Sequence, residues 1–284
     1  MKEKIRVIQY GLGAMGSAMA KIMLEKRDLE VVAAIIRRKE DSGKDIGKLI
    51  GLNKKVGVKA YDDPNFVFKN FKADAVLHAT VSYVPEVWKQ ISKAVKAKLN
   101  VVTIAEEMGY PYVKYPRICK EMDREAKKNN VTILGTGINP GFAMDLMPLL
   151  LTGICKDVKK IKVTRLIDFS PFGPAIQKNI GIGMAVSEFK KGVVNGSLPL
   201  HIGLPESTYM VADGLGWKLD KVKETREPIS MKEIINVPGY MKIGSGKVCG
   251  FNHRCYGISK GKVKIILEEL GRVDPSLDYR NTII

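Results

Sequence analysis

The chain has 284 residues, 45% hydrophobic and 27% charged, which sets aside disorder and leaves room for two modest domains. Its net charge of +17 comes from lysines scattered singly and in pairs (Lys89, Lys93, Lys96; Lys120, Lys127, Lys128), with no basic block interleaved with aromatics, so it reads as a solvated surface and not as a nucleic-acid site. No apolar run approaches the roughly 18–20 residues that span a membrane, no signal peptide is recognisable, and neither the cysteines nor the histidines have metal-ligand or disulfide spacing, so the expectation is a cytoplasmic protein with no metal and no membrane partner.

Residues 5–10 (IRVIQY) predict a buried strand, and Gly11-Leu12-Gly13-Ala14-Met15-Gly16 follows at once. A helix is predicted over 17–26 and a second buried strand over the β-branched run 29–36. Further strands are predicted over 74–80, 100–104 and 131–134. Helices are predicted over 85–98, opened by a proline, and over 122–129. Strands alternating with helices at this spacing mean an α/β Rossmann domain with a doubly wound parallel sheet, assigned to residues 1–135.

From Gly135 the texture changes. A loop dense in turn residues, 135–141, leads into a predicted helix over 142–153 and a long strand over 158–169. A Gly/Pro-rich stretch covers 170–183, and a helix is expected over 204–216. Two β runs, 247–259 and 262–273, flank Lys260-Gly261 as a hairpin. The second region, 136–284, is therefore expected to be an α+β domain with an antiparallel sheet. The final residues 279–284 (YRNTII) look like the start of a strand, which suggests a chain that continues or a sheet short of an edge.

The glycine motif has a strand before it, a helix after it and a second strand at the right distance, the context a dinucleotide site needs. Gly11 allows the tight turn, Gly13 lets the backbone approach a pyrophosphate, and Gly16 lets the helix pack on the strand. The helix N-terminus offers unpaired N–H groups to the phosphates, so Leu12, Ala14 and Met15 belong to the candidate site as well. Where an NAD-binding chain would carry an acid at the end of the second strand, this one carries Ile36, Arg37 and Arg38. Two guanidinium groups suit a 2′-phosphate, so NADP is the expected cofactor, with NAD possible. Thr80 and Val81 close the strand that runs beneath the cofactor. His78, two residues earlier, reads as a packed side chain.

The strand over 100–104 ends in Ala105-Glu106-Glu107-Met108-Gly109-Tyr110-Pro111. A carboxylate there could move a proton to or from an amine or a carbonyl oxygen while hydride is transferred. Adjacent carboxylates also disfavour each other's ionisation. Glu106 is the first candidate and Glu107 the second; the bland reading is that Glu107, or both, open the next helix.

With these segments in hand, the chain resembles the 2,4-diaminopentanoate dehydrogenases and the related native NAD(P)H-dependent amine dehydrogenases, which share a dihydrodipicolinate-reductase-like two-domain arrangement. The resemblance rests on GLGAMG at 11–16, LHAT at 77–80, AEEMGYP at 105–111, GTGINPGFAMD at 135–145 and HIGLPES at 201–207. It implies a homodimer that deaminates an amine oxidatively, or aminates a ketone with ammonia, with a second domain for substrate binding and dimerisation. A glutamate of the pair would transfer the proton. Asn139, Pro140 and Phe142 would border nicotinamide and substrate, Asn139 touching both, and His201 would reach the substrate from the second domain. The aromatic stretch 165–178 suits a substrate loop, with Phe169 as its candidate contact. Members of the family usually continue several tens of residues beyond the point where this sequence ends.

Two other readings compete. A dihydrodipicolinate reductase proper would carry a paired-histidine, lysine-bearing signature, and the sequence has none. A non-catalytic NADPH sensor would keep the glycines and arginines but would not need Glu106 and Glu107.

Overall fold

The computed structural model describes residues 3–237, 241–273 and 281–283. The chain divides into two compact units, Met1–Gly137 and Ile138–Ile284.

The first unit runs β1 (Ile5–Tyr10), α1 (Ala14–Glu25), β2 (Leu29–Ile35), α2 (Ile46–Leu49), β3 (Ala60–Tyr61), α3 (Pro64–Asn70), β4 (Ala75–His78), α4 (Val84–Lys96), β5 (Asn100–Thr103), α5 (Pro116–Asn129) and β6 (Ile133–Gly135). The six strands form a parallel sheet in the order β3-β2-β1-β4-β5-β6. The order reverses between β1 and β4, and the crevice outside the carboxyl ends of strands at such a switch is where ligands bind in open α/β sheets.

Sequence pattern explains the layers. Along α4, Val84, Val87, Trp88, Ile91, Ala94 and Val95 recur at helical spacing, and all are buried against Ile8, Ile35, Val76 and Val101 of the sheet. Each fully buried valine or isoleucine among them contributes about 1.5–3 kcal/mol. The opposite face packs Val7, Val31 and Ala34 with Met23 of α1 and Ile46 of α2. Two elements start earlier than expected. Helix α1 begins at Ala14, inside the glycine motif, and α5 begins at Pro116, whose ring suits a first turn.

The second unit runs α6 (Leu146–Thr152), β7 (Ile161–Asp168), α7 (Pro174–Asn179), α8 (Val186–Val194), α9 (Leu204–Gly214), β8 (Lys221–Ser230), β9 (Ile235–Val237), β10 (Met241–Ile243), β11 (Val248–Ser259), β12 (Lys262–Arg272) and β13 (Asn281–Ile283). Its main sheet has the order β13-β7-β12-β11-β8. The sheet is mixed and not antiparallel as expected, because β7 runs parallel to its neighbour β12 while the other pairs are antiparallel. The β11–β12 hairpin turns at Lys260-Gly261, as the sequence indicated. Strand β13 is the edge strand beside β7; Tyr279, Arg280 and Ile284 of the same expected segment lie outside the described residues.

The helix expected from residue 142 starts only at Leu146. The Asp145 carboxylate accepts the N–H of Gly141 at 2.8 Å and that of Leu146 at 2.6 Å, so the chain turns before it coils. The Gly/Pro-rich stretch holds α7, opened by Pro174. One sheet face carries two apolar patches. Ile167 and Phe251 pack with Phe189 of α8; Val163, Cys255 and Leu267 pack with Leu204 and Val211 of α9. Between the patches, in register across four strands, lie Arg226, His253, Glu269 and Arg165.

Candidate functional site

In the first unit, a crevice of about 580 Å³ opens at the carboxyl ends of β1, β2 and β4. Gly11, Leu12 and Gly13 form one wall. Gly11 has φ +99°, a left-handed conformation that a side chain would strain, and a Cβ there would run into the carbonyl oxygen of Ala79. A Cβ on Gly16 would strike the carbonyl of Gly11, so the first turn of α1 can lie on the loop only because that atom is missing. Nothing lies within 4 Å of a Cβ built on Gly13. The loop backbone is therefore bare toward the crevice where Ala14 and Met15 begin the helix with unpaired N–H groups. These residues fit a dinucleotide pyrophosphate.

Arg37 and Arg38 line the same crevice, both exposed. They differ in their partners. Arg38 Nε is 2.9 Å from an Asp41 carboxylate oxygen, and Lys44 donates to the other oxygen at 2.8 Å. The Lys44 hydrogen bond, working against burial and helped by Arg38, holds the Asp41 carboxyl below the usual range. For Arg37 the described residues provide no ion-pair partner. Asp41 lines the crevice as well and was not among the candidates; its signal was the three-residue spacing from Arg38. Tyr10, Asp62 and Gln90 are further wall residues that were missed.

Thr80 and Val81 also line the crevice. Behind Thr80, His78 is fully buried, as its strand position suggested. Its Nδ1 lies 2.9 Å from Thr103 Oγ1, and its Nε2 lies 2.8 Å from both Gln90 Oε1 and Thr80 Oγ1. The Tyr10 ring stands edge-on against it, 5.3 Å between centroids.

The two glutamates occupy a 3-10 turn, Glu106–Gly109, and not the end of a strand, so strand alternation does not separate them. Their surroundings do. Glu107 is 1% exposed; it accepts the Val84 N–H at 2.9 Å and the Tyr115 hydroxyl at 3.3 Å, and forms an ion pair with Lys114. Burial and the neighbouring carboxylate together push the Tyr115 hydroxyl pKa above its ordinary value, so it stays a donor. Glu106 is half-buried, and no hydrogen-bond or ion-pair partner for it occurs among the described residues. One carboxylate fastens the turn, and its neighbour has no such partner among the described residues.

The second unit gathers other candidates. Glu269 of β12, 3% exposed, accepts from Asn139 Nδ2 at 3.1 Å and Arg165 Nη1 at 3.3 Å, and His201 Nδ1 lies 3.6 Å from the same oxygen. Asn139 Oδ1 and His201 Nε2 are buried without a partner among the described residues. The sequence reading found Asn139 and His201 but not Glu269 or Arg165, which only the strand register brings to them. Asp145, through the Gly141 N–H and the Ser207 hydroxyl at 2.7 Å, ties the Asn139-Pro140 loop to α9. Pro140 is buried and Phe142 is 48% exposed. Phe169 lies apart from this cluster, packed against Phe172 and Phe251 in the hydrophobic core. Beside the cluster, His253 Nε2 lies 2.8 Å from Glu224 Oε1, and burial pushes this imidazole below its usual pKa. No group of three or more His, Cys, Asp or Glu side chains able to hold a metal ion occurs among the described residues, and none of the described helices is long and apolar enough to cross a membrane.

Comparison with known proteins agrees with the fold. Residues 142–283 match the family described as 2,4-diaminopentanoate dehydrogenase C-terminal domain, and residues 5–104 match dihydrodipicolinate reductase, N-terminus. The chain is 39% identical over 282 residues to the 2,4-diaminopentanoate dehydrogenase of Acetoanaerobium sticklandii, covering 96% of this chain and 77% of the relative. It is 24% identical over 276 residues to an amine dehydrogenase of Streptomyces virginiae, covering 96% and 76%. Among solved structures it is similar to an amine dehydrogenase from Mycobacterium smegmatis, with TM-score 0.80 and 26% identity over 99% of this chain and 85% of that one.

Proposed function

The chain belongs to the 2,4-diaminopentanoate dehydrogenase family, and from that premise we propose an NADPH-preferring amine dehydrogenase in which Glu106 transfers the proton. Members of this family are NAD(P)-dependent oxidoreductases acting on amines. The match of residues 142–283 favours this activity over a dihydrodipicolinate-type reduction, which only the first unit resembles.

Bound NADP(H) supplies or accepts the hydride. The chain's own residues do the rest. The Gly11–Gly16 loop and the start of α1 hold the pyrophosphate through backbone N–H groups. Arg37, with Arg38 braced by Asp41, favours a 2′-phosphate over a 2′-hydroxyl. In the amination direction Glu106 takes a proton from ammonium, and the resulting ammonia attacks the ketone carbon. The same carboxyl, now protonated, gives its proton to the departing hydroxyl, so that water and an iminium form. The carboxylate that remains stabilises the iminium charge until it is reduced. Deamination runs these steps in reverse.

Asn139, His201, Arg165 and Glu269 are the polar groups of the second unit proposed to receive the substrate's polar end. Their support is the two buried, unpartnered atoms, Asn139 Oδ1 and His201 Nε2. Pro140 and Phe142 flank them. The working form proposed is a cytoplasmic homodimer, in keeping with the family resemblance.

The observation that carries the reading is the contrast within the glutamate pair: Glu107 is saturated with partners and Glu106 has none among the described residues. NADPH formation followed at the nicotinamide absorbance, with 2,4-diaminopentanoate, simple primary amines and ammonia-free controls, tests it. Reduction of tetrahydrodipicolinate with no turnover of any amine contradicts it.

A further inference from the structure

His78 belongs to a segment that the sequence singled out, yet neither the cofactor nor the proton-transfer role uses it. Its hydrogen bonds run in one direction. Thr103 Oγ1 accepts the Ala105 N–H at 3.1 Å, which leaves its own hydrogen to point at His78 Nδ1, 2.9 Å away. On the other edge, Gln90 Oε1 can only accept, so His78 Nε2 carries the hydrogen and donates across 2.8 Å. The Thr80 hydroxyl donates to the same oxygen at 2.5 Å. Burial, only partly offset by the Gln90 hydrogen bond, pushes the imidazole below its usual pKa. A neutral ring has one donor and one acceptor edge, as both sides of this chain require.

The two ends of the chain matter. Thr80 and Gln90 line the crevice assigned to the cofactor. Ala105 is the residue before Glu106 and the N-terminal flank of its turn.

We propose that His78 is a positioning residue that braces two places with its two edges, the Thr80–Gln90 lining of the cofactor crevice through Nε2 and the turn bearing Glu106 through Nδ1 and Thr103. The proposal deepens, and rests on, the reading of Glu106 as the proton-transfer group. A histidine that only fills space would brace neither place selectively, and its loss would lower affinity and rate together as the fold weakens.

Two half-replacements separate these cases. The carboxamide of His78→Asn reaches the Nδ1 position and keeps the Thr103 side. That of His78→Gln reaches the Nε2 position and keeps the Gln90 side. His78→Asn should weaken NADPH binding, read by nucleotide fluorescence, about tenfold, the effect of one lost hydrogen bond, while the single-turnover rate at saturating cofactor falls less than about threefold. His78→Gln should show the opposite split: affinity within about threefold of the parent and a rate lower by about 10- to 100-fold, as a displaced catalytic group would give. Thr103→Val and Gln90→Met repeat the split from the partner side: rate is hit harder in the first, affinity in the second. They decide the matter if a His78 variant folds poorly. Equal losses of affinity and rate in both members of either pair, no loss in both, or the reverse assignment, overturn the two-edged bracing. Glu106→Gln in the same assay keeps the two ideas apart. A parental rate there removes Glu106 from the chemistry, whereas an inactive Glu106→Gln beside unsplit His78 variants removes the bracing role alone.

Discussion

Glu107→Gln takes one negative charge out of a buried hub and leaves its size unchanged. The native carboxylate serves three donors at once: the Val84 N–H at the start of α4, the Tyr115 hydroxyl and the Lys114 ammonium. A carboxamide has one oxygen, so its NH2 must face one of those donors. A charge-assisted hydrogen bond is worth about 1.5–3 kcal/mol. Breaking a fully buried ion pair costs about 3–5 kcal/mol, but Lys114 is 53% exposed and recovers solvation. The lower range therefore applies, near 2 kcal/mol. For a chain of this size that corresponds to a fall in melting temperature of about 4–8 °C. Turnover should fall by less than about tenfold, because Glu106 stays on a loosened turn with its chemistry intact. Thermal unfolding and steady-state deamination on the same preparation read both quantities. A rate lower by about 100-fold or more at an unchanged melting temperature would refute this reasoning and make Glu107 the proton-transfer group.

Replacing Arg37 by alanine should weaken NADPH binding by about 10- to 100-fold and leave NADH nearly unaffected, since only the 2′-phosphate pairs with it; equal losses in the two titrations contradict the assignment. Arg38→Ala should do the same to a smaller degree, because Asp41 already engages that guanidinium. Gly11→Ala meets both a left-handed φ and the Ala79 carbonyl. It should cost more than about 1–2 kcal/mol and abolish tight nucleotide binding, and parental affinity by fluorescence titration would count against the loop geometry. Burial holds the imidazoles of His78 and His253 below their ordinary value of 6.5. The unfolded chain then binds protons that the folded chain refuses, so stability is complete above that pH and declines as the pH falls below it. Glu224 adds to the decline at lower pH: despite burial, His253 and Arg226 hold its carboxyl below the usual range, and that contribution is lost as the carboxyl protonates. Melting temperatures from about pH 7.5 to about pH 5.5 should therefore fall, with a shallower slope in His253→Gln; a rise on acidification contradicts the sign.

The crevice of the first unit was legible because its parts are contiguous in the chain. Strand, glycine turn and helix follow one another within residues 5–25, and Gly11 is needed for a reason local to the turn. Arg37 and Arg38 were legible on the same ground. Pattern said less about residues 38–72, where β3 has two residues and α2 has four, too few for any period to show. Pro174 lies in a stretch whose Gly/Pro content signals a loop, yet it opens α7; a proline marks both, and only packing decides. The mixed sheet of the second unit depends on β7 lying beside β12, about a hundred residues away, which no window of sequence reports. The same register places Arg165 against Glu269, 104 residues on. The glutamate pair shows the limit most clearly. The sequence located it, but what separates Glu106 from Glu107 is contributed by Val84, Lys114 and Tyr115, on two other segments.

The most direct test of the account is the single-turnover rate of 2,4-diaminopentanoate deamination by Glu106→Gln at saturating NADP. The substitution keeps size and removes the basic site. The account predicts a rate lower by about 100- to 10,000-fold, the weight of a general acid–base group, with NADPH affinity unchanged, because the nucleotide's phosphates are assigned to Gly11–Gly16, Arg37 and Arg38. Deamination at the parental rate would contradict it, and would leave the Glu106–Gly109 turn as a structural feature without a part in the chemistry.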